Sequence, residues 1–196
     1  MSEQRTTARK TTQTVQKVRG IVKGMYSGAR AAKETGQKVA YCMVGSQYDE
    51  ILRAMDVYPL WTENYAGLCA AKRDCERFLL RAEADGYSNV ICGYVRQGIG
   101  FEAMRSELGV MPENAPDGGP ADADMYLGSS YYCDPRFKWY QALGHYREIP
   151  IHCFDVVGPS VTDDLNDVRD YYIAYQLSQY KDLVAFLERQ TGKKLD

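Results

Sequence analysis

The sequence predicts an α/β fold, an open parallel β-sheet of about five strands with helices on both faces. Three observations carry this expectation. From residue 39 onward, short runs rich in β-branched and aromatic residues alternate with longer runs of helical periodicity. A helical run separates consecutive strand-like runs, which is the crossover a parallel pair requires. The first strand-like run, VAYCMV, is apolar throughout, as expected where both faces of a sheet are covered.

Residues 1–38 read as a basic N-terminal arm followed by an amphipathic helix. They hold nine Lys/Arg against two acids, leaving 15 against 24 in the remainder, while the whole chain has a net charge of −2. Within TVQKVRGIVKGMYSGARAAKE the cations interleave with Val15, Val18, Ile21, Val22 and Met25 at helical spacing. That pattern favours a helix docked on an acidic body or partner subunit over a nucleic-acid arm.

The α/β lobe is expected over 39–162. VAYCMV (39–44) is a strand by its β-formers, QYDEILRAMD (47–56) a helix by its periodicity, and VYPLW (57–61) a short strand interrupted by proline. AGLCAAKRDCERFLLRAEA (66–84) reads as one long helix and SNVIC (88–92) as a buried strand. FEAMRSEL (101–108) is helical, MPENAPDGGPADAD (111–124) is a loop by its Pro/Gly/Asp content, and MYLGSS (125–130) is a strand. PRFKWYQALGHYRE (135–148) is a helix and PIHCFDVV (150–157) the last strand. This is the layout of a flavodoxin- or Rossmann-like lobe. A final helical pattern from about Asp163 to Gln190, within 163–196, leads towards an expected second lobe.

No apolar run approaches the roughly 18 residues needed to span a bilayer. The start, MSEQRTTARK, lacks the apolar stretch of a signal peptide, so a cytoplasmic location is expected. Six cysteines, at 42, 69, 75, 92, 133 and 153, form no CxxC pair, which removes the zinc-finger and thioredoxin signatures.

Open parallel sheets bind ligands outside the carboxyl ends of their strands. The residues just after each expected strand therefore define a rim: Ser46, Glu63, Cys92, Cys133 and Asp155. Two thiols on that rim suit a metal or iron–sulfur site assembled by tertiary folding, because such clusters need soft thiolate ligands. Two half-buried structural cysteines fit the same spacing. A Cys–His nucleophile is disfavoured, because His145 lies about three helical turns beyond Cys133, roughly 15 Å or more away, and His152 alternates within a strand. GYVRQGIGFE (93–102) reads as a glycine-containing strand-to-helix turn able to meet an anion with Arg96, although it lacks both phosphate-loop patterns.

In DPRFKWY, Asp134 is expected as N-cap with Pro135 at the first helical position, which fixes Cys133 at the mouth of a helix. Arg136, Lys138, Trp139 and Tyr140 then fall on its first turn and a half. The aromatic residues either pack against the sheet, or screen a cluster from water or flank a flat substrate.

Together, VAYCMVGSQYDEILRAMDVYPLWTENYAGLCAAKRD, NVICGYVRQGIG and LGSSYYCDPRFKWYQAL resemble the benzoyl-CoA reductase and 2-hydroxyacyl-CoA dehydratase family, with the larger cluster-bearing subunit of the reductase as the nearest likeness. The resemblance implies a 4Fe-4S cluster with Cys92 and Cys133 as ligands, and Ser46 and Glu63 beside it as catalytic residues. It implies a further ligand from a second lobe, so that this chain is expected to be an N-terminal piece of a longer protein. The implied activity is ATP-dependent reduction of benzoyl-CoA to a dienoyl-CoA by low-potential single electrons. The alternatives are radical elimination of water from a 2-hydroxyacyl-CoA, or a non-catalytic scaffold subunit. Implied partners are an aryl-CoA substrate met by Arg136, Lys138 and Trp139, a paralogous cluster-bearing subunit, ATP-hydrolysing activator subunits and a ferredoxin, with no nucleic acid or membrane.

Overall fold

The computed structural model describes residues 12–45 and 47–196. Among them four strands, β1 (Lys38–Cys42), β2 (Val57–Trp61), β3 (Met125–Ser129) and β4 (Ile151–Phe154), form one sheet in the order β2-β1-β3-β4. Every pairing is parallel. The helices are α1 (Gln13–Glu34), α2 (Asp49–Ala54), α3 (Thr62–Ala71), α4 (Glu76–Ala84), α5 (Gly93–Leu108), α6 (Asp134–Leu143) and α7 (Leu165–Thr191). This is the α/β architecture expected, with helices on both faces and a helix ahead of the first strand. No helix among the described residues is long and apolar enough to cross a membrane.

The period-two alternation of side chains along a strand assigns the two faces. Val39, Tyr41 and Tyr126 share one core with residues of α1, α3, α4, α5 and α6. Ala40, Cys42, Met125 and Leu127 share the other with Leu52 of α2 and Leu183, Phe186 and Leu187 of α7. Helix α1 buries Tyr26, Ala29 and Ala32. It approaches edge strand β2 closely because residue 28 is glycine: a Cβ there would sit 2.5 Å from the Tyr58 hydroxyl, which donates to the Met25 carbonyl at 3.0 Å.

Two expected elements differ. The helix expected over 66–84 is broken into α3 and α4. Arg73 is left-handed (φ 59°), and the Arg73 and Asp74 amides cap the Ala70 and Cys69 carbonyls at 3.0 and 2.9 Å. This is a Schellman arrangement, which ends a helix and turns the chain. The strand expected over 88–92 is instead a turn, in which the Ile91 amide donates to the Ser88 carbonyl at 3.1 Å and Val90 is 88% exposed. In place of a fifth strand the chain forms an α4–α5 hairpin. Glycines permit it, since a Cβ on Gly100 would lie 1.8 Å from the Phe78 carbonyl oxygen of α4 and one on Gly98 would lie 2.0 Å from the Trp139 ring of α6. The segment expected to be an anion-binding turn over 93–102 lies within α5, and Arg96 there pairs with Glu83.

At the amino end of the sheet, Glu102 is buried between Arg105 and Arg147, 3.6 Å from each. Both arginines also meet Asp122, at 2.8 and 2.7 Å. Arg105 donates to the Tyr41 hydroxyl at 3.2 Å, and that hydroxyl donates to the Ala121 carbonyl at 2.7 Å. Burial raises the Glu102 carboxyl above its ordinary value, against the opposing pull of Arg105 and Arg147.

Candidate functional site

The chain runs from β1 outward to β2 and then places β3 on the other side of β1, so the order reverses between β1 and β3. Loops leaving the carboxyl ends of such neighbours diverge and open a crevice. Here the crevice is bounded by Met43, Val44 and Gly45 after β1, by Glu63 at the start of α3, and by residues 130–133 between β3 and α6.

Glu63 and Arg136 hold these segments together. The Arg136 Nε lies 2.5 Å from Glu63 Oε1 and its Nη2 donates to Oε2 at 3.1 Å. The same Oε2 accepts the Val44 amide at 2.5 Å, while Arg136 donates to the carbonyls of Val44 and, at 3.3 Å, of Tyr131. One buried guanidinium thus joins the ends of β1, β2 and β3, using the planar fork that suits it to bidentate carboxylate contact.

Tyr132 closes the upper side. Its φ of 85° is a conformation L-residues rarely adopt, and its ring lies 4.9 Å from the Arg136 guanidinium carbon and 3.9 Å from the Tyr131 ring. Its hydroxyl lies 3.3 Å from where a Cβ on Gly45 would be.

The next junction is polar. Ser130 donates to Asp155 at 2.5 Å and accepts the Val156 amide at 2.8 Å, while the Tyr175 hydroxyl of α7 donates to Asp155 at 2.7 Å. The Ser130 hydrogen bond, with that of Tyr175, holds the Asp155 carboxyl below its ordinary range.

Of the residues expected on the rim, Glu63 and Asp155 are there, and Ser46 lies outside the described residues. Cys133 is itself the N-cap of α6, one residue earlier than expected, with Asp134 and Pro135 as its first helical residues. Cys92 is the N-cap of α5 on the α4–α5 hairpin rather than at a strand end. Both thiols are exposed. Among the cations and aromatics expected to meet substrate, Arg136 is committed to Glu63, and exposed Lys138 pairs with Asp134 at 2.9 Å. Trp139 is only 1% exposed, stacked 5.9 Å from Tyr140 and bordering a small interior cavity with Gln97.

What the sequence reading missed is a cleft of about 900 Å³ beside the rim. Val15, Val18, Val22, Arg19 and Lys23 of α1 form one wall, Asn64, Gly67, Leu68, Ala71 and Lys72 the other, and Val44, Glu63 and Tyr94 also line it. The cation–aliphatic interleaving of α1 was its visible signal, but that pattern does not say which element lies opposite.

Comparison with known proteins fits this arrangement. The family model for the 2-hydroxyglutaryl-CoA dehydratase D-component matches residues 48–196, well over half of the chain. The (R)-phenyllactyl-CoA dehydratase alpha subunit of Clostridium sporogenes is 32% identical over 91% of this chain and 41% of its own length. The alpha subunit of (R)-2-hydroxyglutaryl-CoA dehydratase from Acidaminococcus fermentans is 37% identical over 93% of this chain and 51% of its own length. A benzoyl-CoA reductase subunit of Thauera aromatica is 25% identical over 92% of this chain and 40% of its own length. The chain thus spans about two fifths to one half of these relatives.

Two expectations are corrected here. Among the described residues no group of three or more His, Cys, Asp or Glu side chains gathers where a metal could be held. A 4Fe-4S cluster is held by thiolates gathered at one place, and Cys92 and Cys133, each starting a different helix, belong to no such gathering among the described residues; the expected cluster site is not formed there. The benzoyl-CoA reductase reading falls with it, because the matching family model and the more similar of these relatives are dehydratases. The chain belongs to the 2-hydroxyglutaryl-CoA dehydratase D-component family, which also takes in benzoyl-CoA reductase subunits.

Proposed function

We propose that this chain is part of a 2-hydroxyacyl-CoA dehydratase subunit, acting in a complex that removes water from a 2-hydroxyacyl-CoA. In that reaction the C2 hydroxyl and a C3 proton leave as water and a 2-enoyl-CoA remains, with no net change of oxidation state. The observation that carries the reading is the Glu63–Arg136 pair at the β1/β3 switch point, in a chain whose relatives at 32% and 37% identity are named dehydratase alpha subunits.

Glu63 and Arg136 act in this reading as positioning residues. They fix Val44, two residues before Ser46, and so set the loop that faces substrate. A pre-organised loop costs less to order when substrate binds. Ser46 is the group we assign to the reacting end of the substrate.

The test is turnover of a 2-hydroxyacyl-CoA by the protein assembled with its partner subunits, read by mass spectrometry as loss of one water. Glu63→Gln keeps the shape and removes the charge; a drop in kcat with the complex intact is the expected outcome. A second reading is a subunit that scaffolds the complex without chemistry. Under it, Glu63→Gln complexes would turn over at the parent rate.

A further inference from the structure

Enclosed by α3, α5, α6 and β1 is a cavity of about 20 Å³, which is room for one water molecule. Gln97 and Glu102 of α5, Trp139 of α6, Thr62 of α3 and Tyr41 of β1 line it, each 8% exposed or less. Some of these side chains carry polar atoms with no hydrogen bond among the described residues. The Trp139 indole N–H lacks an acceptor, and neither atom of the Gln97 side-chain amide has a partner. Exchanging the amide oxygen and nitrogen repairs nothing, because both positions are orphaned. The Glu102 oxygens lie 3.6 Å from Arg105 and Arg147, an ion-pair distance longer than a hydrogen bond. By contrast, the Tyr41 hydroxyl is engaged by Ala121 and Arg105, and that of Thr62 by Tyr140 at 2.7 Å.

A buried donor or acceptor with no partner costs the full desolvation of that group. Several such groups around one space therefore select for an occupant. Cavities that stay dry are lined by apolar side chains. This one offers a donor at Trp139, an acceptor at Glu102, and both at Gln97. The Glu102 carboxylate opposes an anion there, and Arg105 and Arg147 beside it oppose a cation. A neutral molecule that both donates and accepts answers every one of these groups, and the volume admits nothing larger than water.

We propose that this cavity is a binding site for one internal water molecule, which accepts from the Trp139 indole and donates to Gln97 and Glu102. The water ties α5 to α6, the helix that carries Arg136, through the interior rather than through a direct contact. It also gives Gln97, a polar side chain 2% exposed, a reason to be in the core. The inference stands on the cavity and its orphaned groups and does not depend on the dehydratase reading.

The test is nuclear magnetic resonance of the protein carrying isotope-labelled tryptophan. The chain has two tryptophans, so Trp61→Phe assigns the indole signal of Trp139. The expected result is a nuclear Overhauser cross-peak from water to that indole proton, with the sign of a long-lived internal water. Gln97→Leu replaces the amide by an apolar side chain of similar size and should abolish the cross-peak while keeping the parent's circular dichroism. A crystal structure of the parent should show one ordered water within hydrogen-bond distance of Trp139 Nε1 and the Gln97 side chain, a readout that holds even if the variant does not fold. Absence of either the cross-peak or the ordered water from the parent overturns the proposal. So does a cross-peak undiminished in Gln97→Leu, since it would then arise from the Tyr41 or Thr62 hydroxyl exchanging with solvent.

Discussion

The two ends of the sheet each carry a glutamate held by arginine, and they are built differently. At the amino end Glu102 is 3% exposed and sits between two arginines that also share Asp122. At the carboxyl end the Glu63 side chain is 19% exposed and has one arginine, Arg136, which also binds the carbonyls of two loops. The first arrangement closes a seam between α5, β3 and the chain before β4. The second borders a cleft and holds the loops that follow β1 and β3. A buried ion pair is thus a structural clamp at one end and a means of setting a site at the other, and solvent access separates the roles.

Cutting the amino-end clamp should have the largest effect on stability. Arg105→Ala leaves Glu102 in the interior short of a counter-charge and should cost about 3–5 kcal/mol, measured by urea unfolding. The pH dependence gives an independent check. Because burial raises the folded carboxyl of Glu102, the folded state keeps a proton that the unfolded chain releases. The contribution of Glu102 to stability is therefore fullest below the unfolded carboxylate pKa, about 4.3, and declines as pH rises towards the raised folded value. Stability of the parent relative to Glu102→Gln should fall across that window; a rise would reverse the assignment.

At the carboxyl end, Arg136→Ala should cost less stability, about 1–3 kcal/mol, because water can reach the Glu63 carboxylate left behind. Its effect on function should be the greater of the two, with turnover by the assembled complex lost before the fold is. Equal loss of stability in both arginine variants would erase the distinction drawn between the two ends.

Asp155 sharpens the contrast, since hydroxyls rather than an arginine hold it. Its folded pKa is depressed, first by Ser130 and then by Tyr175, so the unfolded chain binds its proton more readily. The stabilisation is present above the unfolded value of about 3.9 and is lost as pH falls through the lower folded value. Asp155→Asn should accordingly cost about 1 kcal/mol near neutrality and nothing in strong acid, seen in paired thermal melts. The smallest effect belongs to Lys138→Ala. Its pair with Asp134 is exposed and one helical turn long, worth about 0.3–0.5 kcal/mol, measured by urea unfolding.

Much of this fold was legible because its cause is local. The alternation in VAYC sets which residues face which layer, and β1, β2, β3 and β4 each fall inside or within one residue of an expected run. SNVIC misled because three apolar residues in a row fit a buried strand, whereas the chain makes an exposed turn there; Gly98 and Gly100, ten residues and more from its start, decide the outcome by letting α5 lie against α4 and α6. The break at Arg73 was hidden for a related reason. No glycine or proline marks it, and a non-glycine residue takes the left-handed position.

The site was half legible. Glu63 and Asp155 were placed on the rim by the strand-end rule alone, which needs only the order of elements. That Arg136 would grip Glu63, 73 residues away, required knowing that β3 lies beside β1.

What the sequence by itself determined is therefore the α/β layering, the family and the position of the rim, since periodicity and motif are written in near neighbours. Only the tertiary structure decided which charges meet. It committed Arg136, Lys138 and Arg96 to carboxylates, left Arg19, Lys23 and Lys72 facing a cleft, and gathered no metal-binding set around Cys92 or Cys133 among the described residues. Ion pairing and ligation depend on distances of a few ångströms between segments far apart in the chain, and strand order fixes those distances.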